Sequence, residues 1–350
     1  MIRTNDLKYK SVEICAGAGG QAVGLHHAGF RHVALIEIDK DACSTLKANT
    51  SEDPEWAGCK VIHQDLKKFD PSELGLEPGE LDLLAGGVPC PPFSAAGKQL
   101  GRDDERDLFP TMLDLVEQLA PKAVMIENVR GLVDQKFASY RDEIIKQLET
   151  LGYEQCYWEV LEAKKYGVPQ LRPRAILVAM KPQYARYFEH TKPEPRPELS
   201  VGEALHDTMR ARFDAVADDP RAENAFKNWY EKAQEGVAPT LVGGSKKHGG
   251  ADLGPTRAKR AWADLGVCGL GVANNPEELK DKERDLFAKA GPKLTVTQAA
   301  LIQGFPADWK FTGKKTAAYR QVGNAFPPPV AQAVGEQIYA AFEAAEMNGI

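Results

Sequence analysis

The chain has 350 residues, 43% of them hydrophobic and 27% charged, with a formal net charge of -6. That length supports two or three domains with real cores, and the ordinary hydrophobic content excludes wholesale disorder. The acidic average, with a pI near 5.8, argues against a nucleic-acid partner, because phosphate binding needs clustered Lys and Arg. The cysteines, Cys15, Cys43, Cys59, Cys90, Cys156 and Cys268, form no CxxC and no zinc-ribbon spacing, so no metal site is expected. The first residues contain no apolar leader core, and the longest apolar runs, such as 175–180, are strand-sized rather than the ~20 residues of a membrane helix. A reduced, soluble, cytoplasmic protein with free thiols is expected, and no membrane partner.

Short β-rich runs alternate with longer helical patterns over the first 180 residues. Val12-Glu13-Ile14-Cys15 reads as a strand, followed by Gly-rich sequence and a helix near 21–27. The next strand is 32–38 and its helix 40–48; Val61-Ile62 and 81–85 are further strands. Residues 108–119 place Leu108, Met112, Leu115, Val116 and Leu119 at helical spacing. A buried strand at 123–126 and a helix at 140–151 follow, and the runs 157–161 and 174–180 extend the sheet. This alternation predicts a doubly wound, mostly parallel α/β sheet with crossover helices.

After Lys181 the pattern breaks. Pro182, Pro193, Pro195 and Pro197 interrupt it, and Gly243-Gly244 and Gly249-Gly250 follow. Periodicity resumes from Leu294, and Pro327-Pro328-Pro329 opens a helix with Val330, Val334, Ile338 and Phe342 on one face. The expected division is a discontinuous first domain, 1–182 with 291–350, and a smaller, irregular second domain, 183–290. Charge is uneven along the chain: 17 basic against 27 acidic residues in 1–160, but 27 against 20 in 161–330. A basic module sits on an acidic body.

Cys15-Ala16-Gly17-Ala18-Gly19-Gly20 follows the first strand, where glycines allow a ligand close to the backbone and leave helix N–H groups available. Glu37, at the end of the second strand, can hold both hydroxyls of a ribose, and Asp65 can accept from an adenine amino group. Taken alone, the turn and the two acids fit an ordinary tight turn and solvated surface as well as a nucleoside cofactor. Gly86-Gly87-Val88-Pro89-Cys90-Pro91-Pro92 differs in kind: a thiol follows a buried strand, fixed between prolines at the rim where open α/β sheets bind ligands. A lone Cys there is most often a structural turn residue; its neighbours reverse that reading.

Pro89-Cys90, Glu127-Asn128-Val129 and Gln170-Leu171-Arg172-Pro173-Arg174 occur in that order after the Gly-rich turn. Residues 294–306 and Tyr319-Arg320-Gln321-Val322-Gly323-Asn324-Ala325 add two later blocks. Together these resemble the DNA (cytosine-5) methyltransferases of prokaryotic restriction-modification type. The resemblance covers about 11–180 and 294–340. It implies a Rossmann-like, S-adenosylmethionine-dependent methyltransferase domain, with a target-recognition domain in the interval that coincides with the basic module.

The resemblance assigns roles residue by residue. Cys90 is the nucleophile that adds to cytosine C6, Glu127 binds and protonates N3, and Arg172 and Arg174 hold the cytosine carbonyl and nearby backbone. Cofactor positions transfer to Cys15, Ala16, Gly17, Gly20, Glu37, Asp65, Leu66, Leu108 and Asn324, with S-adenosyl-L-homocysteine as the product and no metal. The loop from Ser94 to Arg106 matches the mobile loop that closes over a flipped base. In the recognition segment 240–260, Lys246, Lys247, Arg257, Lys259 and Arg260 are the expected DNA contacts. Three positions depart from the family pattern: Cys15 where a Phe often packs, Pro91 where Gln is frequent, and Phe326 where a Val is usual. None removes a catalytic group.

The expected partner is duplex DNA carrying a short site, read by a monomer, with a cognate restriction endonuclease where the enzyme is not solitary. Three other readings remain beside this one: a tRNA cytosine-5 methyltransferase of the same family, a nicotinamide-dependent oxidoreductase, and a non-catalytic DNA-binding protein. The oxidoreductase leaves Cys90, Glu127 and the arginine pair unexplained.

Overall fold

The computed structural model describes residues 7–89, 107–243 and 251–350. Cys90, Ser94, Arg106, Lys246 and Lys247 lie outside the described residues. The strands are β1 (Tyr9–Ile14), β2 (Phe30–Glu37), β3 (Lys60–His63), β4 (Leu83–Gly86), β5 (Ala123–Val129), β6 (Glu154–Glu162) and β7 (Pro173–Met180). The helices are α1 (Gly20–His27), α2 (Lys40–Thr50), α3 (Phe109–Leu119), α4 (Ala138–Thr150), α5 (Pro182–Ala185), α6 (Val201–Asp214), α7 (Ala222–Ala233), α8 (Thr256–Asp264), α9 (Lys282–Asp285), α10 (Val296–Gln303), α11 (Lys315–Asn324) and α12 (Pro328–Met347). The contacts divide the chain into two compact units, one of 1–161, 173–194 and 330–350, the other of 162–172 and 195–329.

The first unit holds a seven-stranded sheet in the order β3-β2-β1-β4-β5-β7-β6. β1, β2, β3, β4 and β5 pair parallel, and β7 runs antiparallel to β5. The β6–β7 connection carries only a 3-10 turn, Ala163–Lys165, and no crossover helix, so the chain returns antiparallel. Strand alternation sends Val12, Ile14, Ala34, Ile36, Leu84, Val124 and Ile126 to one face, where they bury against α3 and α4 residues such as Met112, Val116, Ile144 and Leu148. α12 covers part of the other face. A Cβ at Gly335 would lie 2.8 Å from Ala28 Cβ, so glycine is what lets α12 approach the end of α1.

That second face also buries a polar cluster. His32 Nδ1 lies 3.0 Å from the Ser11 hydroxyl and His32 Nε2 lies 2.9 Å from the Ala22 carbonyl, which fixes the ring as a neutral Nε2–H tautomer. Trp56 stacks between His26, at 4.4 Å, and His32, at 5.1 Å. Burial pulls the His32 pKa down to about 3. The unfolded chain binds this proton near pH 6.5, and the folded chain does not until pH is far lower. Stability from this group is therefore full above about pH 6.5 and declines as pH falls from there towards about 3. Urea unfolding should show about 2 kcal/mol less stability at pH 5 than at pH 7 from this residue. A pH dependence unchanged in His32→Gln would assign the loss to other groups.

The second unit has its own core. Val201, Leu205, Met209 and Phe213 recur every four residues on α6 and meet Phe226, Trp229 and Ala233 of α7 and Trp262 of α8. Ser200 and Glu203 form a capping box at the start of α6. Residues 183–290 are thus richer in helix than their Pro and Gly content suggests, because the apolar stripes lie between the breakers. Among the described residues no helix is long and apolar enough to cross a membrane.

Candidate active site

β1 and β4 are neighbours although β2 and β3 come between them in sequence. The strand order reverses there, and the crevice beyond the C-terminal ends of such strands is where open α/β sheets bind ligands. Gly86 makes the close pairing possible: a Cβ on it would sit 2.5 Å from Ile14 Cγ1. The turn after β1 carries Cys15 at φ 51° and Gly17 at φ 55°, both left-handed, and Gly19 at φ 90° caps α1. A cavity of about 220 Å3 opens beside this turn. Cys15, Glu37, Asp65, Leu66 and Leu108 line it, with Ile38, Gln64 and Pro89, which the sequence reading did not single out. Ala16, Gly17 and Gly20 belong to the adjoining turn and helix start.

Glu37 is held from both sides. Its Oε2 accepts from the Gly17 N–H at 2.7 Å and its Oε1 from the Asp39 N–H at 2.7 Å. Each carboxylate oxygen keeps capacity for a second donor, which suits two vicinal hydroxyls. Asp65 accepts from the Lys67 N–H at 3.1 Å through Oδ1, which leaves Oδ2 to accept from an amino group. Ile38 lines the cavity and is 62% exposed, an apolar face of the kind a flat heteroaromatic ring covers. The donor set therefore fits an adenosine. Cys15 contributes an apolar wall: burial, then Glu37, Glu13 and Asp65, push its thiol up to about 12. Burial likewise pushes Cys43 to about 11 and Cys59 and Cys156 to about 12, so these thiols are neutral packing groups. Glu13, fully buried next to Glu37 in charge interaction, is held well above the usual carboxylate range by burial.

The second half of the site lies on β5 and β7. Glu127 Oε1 and Arg174 Nε form an ion pair at 2.6 Å. The antiparallel register, with Val129 opposite Arg174, brings the start of β7 to the same rim as the end of β5. A Cβ on Gly87 would lie 2.8 Å from Glu127 Oε2, so glycine leaves that carboxylate its present position where the chain leaves β4 towards Cys90. Asn128 Nδ2 donates to the Val88 carbonyl at 2.9 Å and fixes the same exit.

Arg172 has a different setting. It is 2% exposed, and its guanidinium donates to the Leu241 carbonyl at 2.6 Å and the Gly323 carbonyl at 2.9 Å, all in the second unit. Gln170 joins the same network, donating to Gln303 Oε1 at 2.7 Å and accepting from the Leu241 N–H at 2.7 Å. A Cβ on Gly323 would meet Gly243 N at 2.4 Å, and exposed Asn324 sits over Gly243 as well. Gln170 and Gln303 were not singled out from the sequence because they meet across 133 residues of chain. On α8, Arg257 and Arg260 are exposed, whereas Lys259 Nζ pairs with Asp252 Oδ2 at 2.8 Å. Among the described residues no group of His, Cys, Asp and Glu is arranged to hold a metal ion.

The C-5 cytosine-specific DNA methylase family matches this chain over residues 9–340. The chain is 51% identical over 333 residues to the type II methyltransferase M.NaeI of Lentzea aerocolonigenes, covering 94% of this chain and 74% of that protein. It is 48% identical over 345 residues to the type II methyltransferase M.NgoMIV of Neisseria gonorrhoeae, covering 96% and 99%. In fold it is similar to a DNA modification methyltransferase encoded within an E. coli prophage, with a TM-score of 0.62 and 18% identity over 96% of this chain and 100% of the other. The chain belongs to the C-5 cytosine-specific DNA methylase family and is a DNA cytosine-5 methyltransferase.

Proposed function

We propose that the protein methylates C5 of a flipped-out cytosine in a short site of duplex DNA through a covalent bond between Cys90 Sγ and cytosine C6. The observation that carries this reading is the Glu127–Arg174 pair, 2.6 Å between Oε1 and Nε, held beside Gly87 where the chain runs from β4 into Cys90. Cytosine C5 is a poor nucleophile; thiolate addition at C6, with proton donation from Glu127 to N3, makes it an enamine-like carbon. Arg174 orients Glu127 and holds the cytosine carbonyl. After transfer, loss of the C5 proton to solvent, expulsion of Cys90 Sγ as thiolate and return of the N3 proton to Glu127 restore the ring. The target is inaccessible in a stacked duplex, so it leaves the helix first.

S-adenosylmethionine, when bound, supplies the electrophilic methyl group that C5 takes. The donor set described above fits its adenosine: Glu37 for the ribose hydroxyls, Asp65 for the adenine amino group, and Ile38, Leu66, Leu108 and Cys15 as apolar walls. Ala16, Gly17, Gly20 and Asn324 complete the binding set in this reading.

Residues 1–182 with 291–350 act as the catalytic and cofactor-binding part, and 183–290 as the target reader. Arg172 serves the site by tying backbone of the reading segment to that of α11. Ser94, Arg106, Lys246, Lys247, Arg257, Lys259 and Arg260 contact DNA. The protein acts as a monomer in the cytoplasm, modifying the site that a cognate endonuclease cuts; the two type II relatives support that pairing. Expression in a methylation-free host followed by mapping of 5-methylcytosine should return one short DNA motif. Methylation of tRNA with none on DNA would overturn the substrate.

A further inference from the structure

The second unit has a cavity of its own, of about 380 Å3, between α7 and the turn that follows α9. Arg221, Asn224, Asn228 and Lys232, three and four residues apart, bring one stripe of α7 to it, and Phe287 and Lys289 come from the turn. Gly266 joins the two walls. A Cβ there would lie 3.4 Å from Lys232 Cβ, and a Cβ on Gly291 would lie 1.8 Å from the Gly266 carbonyl oxygen. The Lys232 stem and the turn carrying Lys289 thus rest against the same residue. The turn is fixed by its backbone: the Gly291 N–H donates to the Ala288 carbonyl at 2.8 Å, the Cys268 N–H to the Pro292 carbonyl at 3.0 Å, and the Lys293 N–H to the Asp285 carbonyl at 3.0 Å.

Among the described residues no acid lines this cavity. Arg221 is neutralised by Asp219 and Glu283 and lies 4.2 Å over the Phe287 ring. Lys232 and Lys289 are exposed and have no ion-pair partner among the described residues, and the exposed Asn224 and Asn228 amides stand beside them. Charges along a helix are usually no more than a solvated face. Here unpaired cations and amide donors share a preformed hollow without an acid, in a chain of net charge -6. Lysines and side-chain amides are the donors that hold phosphate oxygens. From Arg221 to Lys232 the stripe is about 16 Å long. A DNA strand carries one phosphate per about 3.4 Å of helix axis, so the stripe can meet several, whereas a lone small anion would leave most of it uncovered. We propose that this cavity is a backbone-binding site for DNA, separate from the segment 240–260. Lys232 and Lys289 each hold a phosphate, and Asn224 and Asn228 donate to neighbouring phosphate or sugar oxygens. The site adds affinity without reading sequence. It rests on the DNA-methylating function proposed above.

The test uses the full chain. Wild type, Lys232→Gln with Lys289→Gln, and Lys232→Arg with Lys289→Arg are titrated onto a labelled duplex carrying the mapped site, between about 50 and 200 mM salt. The log–log slope of affinity against salt should fall by about 2 in the glutamine variant, roughly 1 for each lysine, and persist in the arginine variant. The weakening should be equal on the mapped duplex and on duplexes with one base pair changed, because phosphates carry no sequence. S-adenosylhomocysteine affinity and the melting temperature should not move, since both lysines are exposed. An unchanged slope would overturn the proposal. So would a weakening confined to one base pair, which would make the cavity a base reader. Quenching of tryptophan fluorescence by inorganic phosphate that the glutamine variant loses, with its DNA slope unchanged, would also overturn it and assign the cavity to a small anion. A wild type that methylates no DNA would overturn the underlying function, a result distinct from an active wild type whose slope ignores both lysines.

Discussion

Cys90→Ser is expected to lower methyl transfer by more than about 10³-fold while leaving S-adenosylhomocysteine affinity unchanged. A serine hydroxyl is far less acidic and less nucleophilic than a thiol, of which a few per cent is already thiolate at neutral pH. The cavity suited to the cofactor is lined by Cys15, Glu37, Asp65 and Leu108, all of which the substitution leaves in place, so binding there should persist. Single-turnover methylation of a duplex together with isothermal titration of the product cofactor separates the two effects. Turnover close to wild type in Cys90→Ser would remove Cys90 from the nucleophile's role. Cys15 offers no substitute, since burial and the nearby carboxylates push its thiol up to about 12.

Glu127→Gln should reduce kcat by about 10²- to 10³-fold, the range a general acid contributes, with little change in cofactor affinity. The amide keeps the shape that faces Gly87 and can still accept from Arg174, so the fold should survive. What is lost is a carboxyl group able to pass a proton to the ring and a charged partner for Arg174 Nε, now 2.6 Å away. Rapid-quench kinetics read the chemical step directly. A reduced cytosine affinity with an unaltered chemical step would make Glu127 a binding group only.

Much of the first unit was legible in the sequence. β2 and β5 hold short apolar runs, 33–36 and 123–126, which suits strands buried on both faces of a parallel sheet. Glu37 and Asp65 line the cavity, but taken alone their local sequence fits a solvated surface equally well, and the family resemblance is what singled them out. Ile38 was not legible: an exposed isoleucine has no local signal, and its meaning comes from the cavity around it. Residues 183–290 read as irregular because Pro and Gly dominate their edges, although the four-residue spacing of Val201, Leu205, Met209 and Phe213 was present to be found.

The net charge of -6 pointed away from nucleic acid, and its distribution along the chain corrected that. Local order determined the elements and the thiol in its proline frame, because each depends on neighbours a few residues away. The two arginines of Gln170-Leu171-Arg172-Pro173-Arg174 show what it could not determine. They are two residues apart, so sequence gives them one shared role. Tertiary structure divides them: antiparallel pairing of β7 with β5 sets Arg174 on Glu127, while Arg172 is buried on the carbonyls of Leu241 and Gly323. Strand direction and contacts between residues 69 and 151 positions apart decide that division, and neither has a local signature.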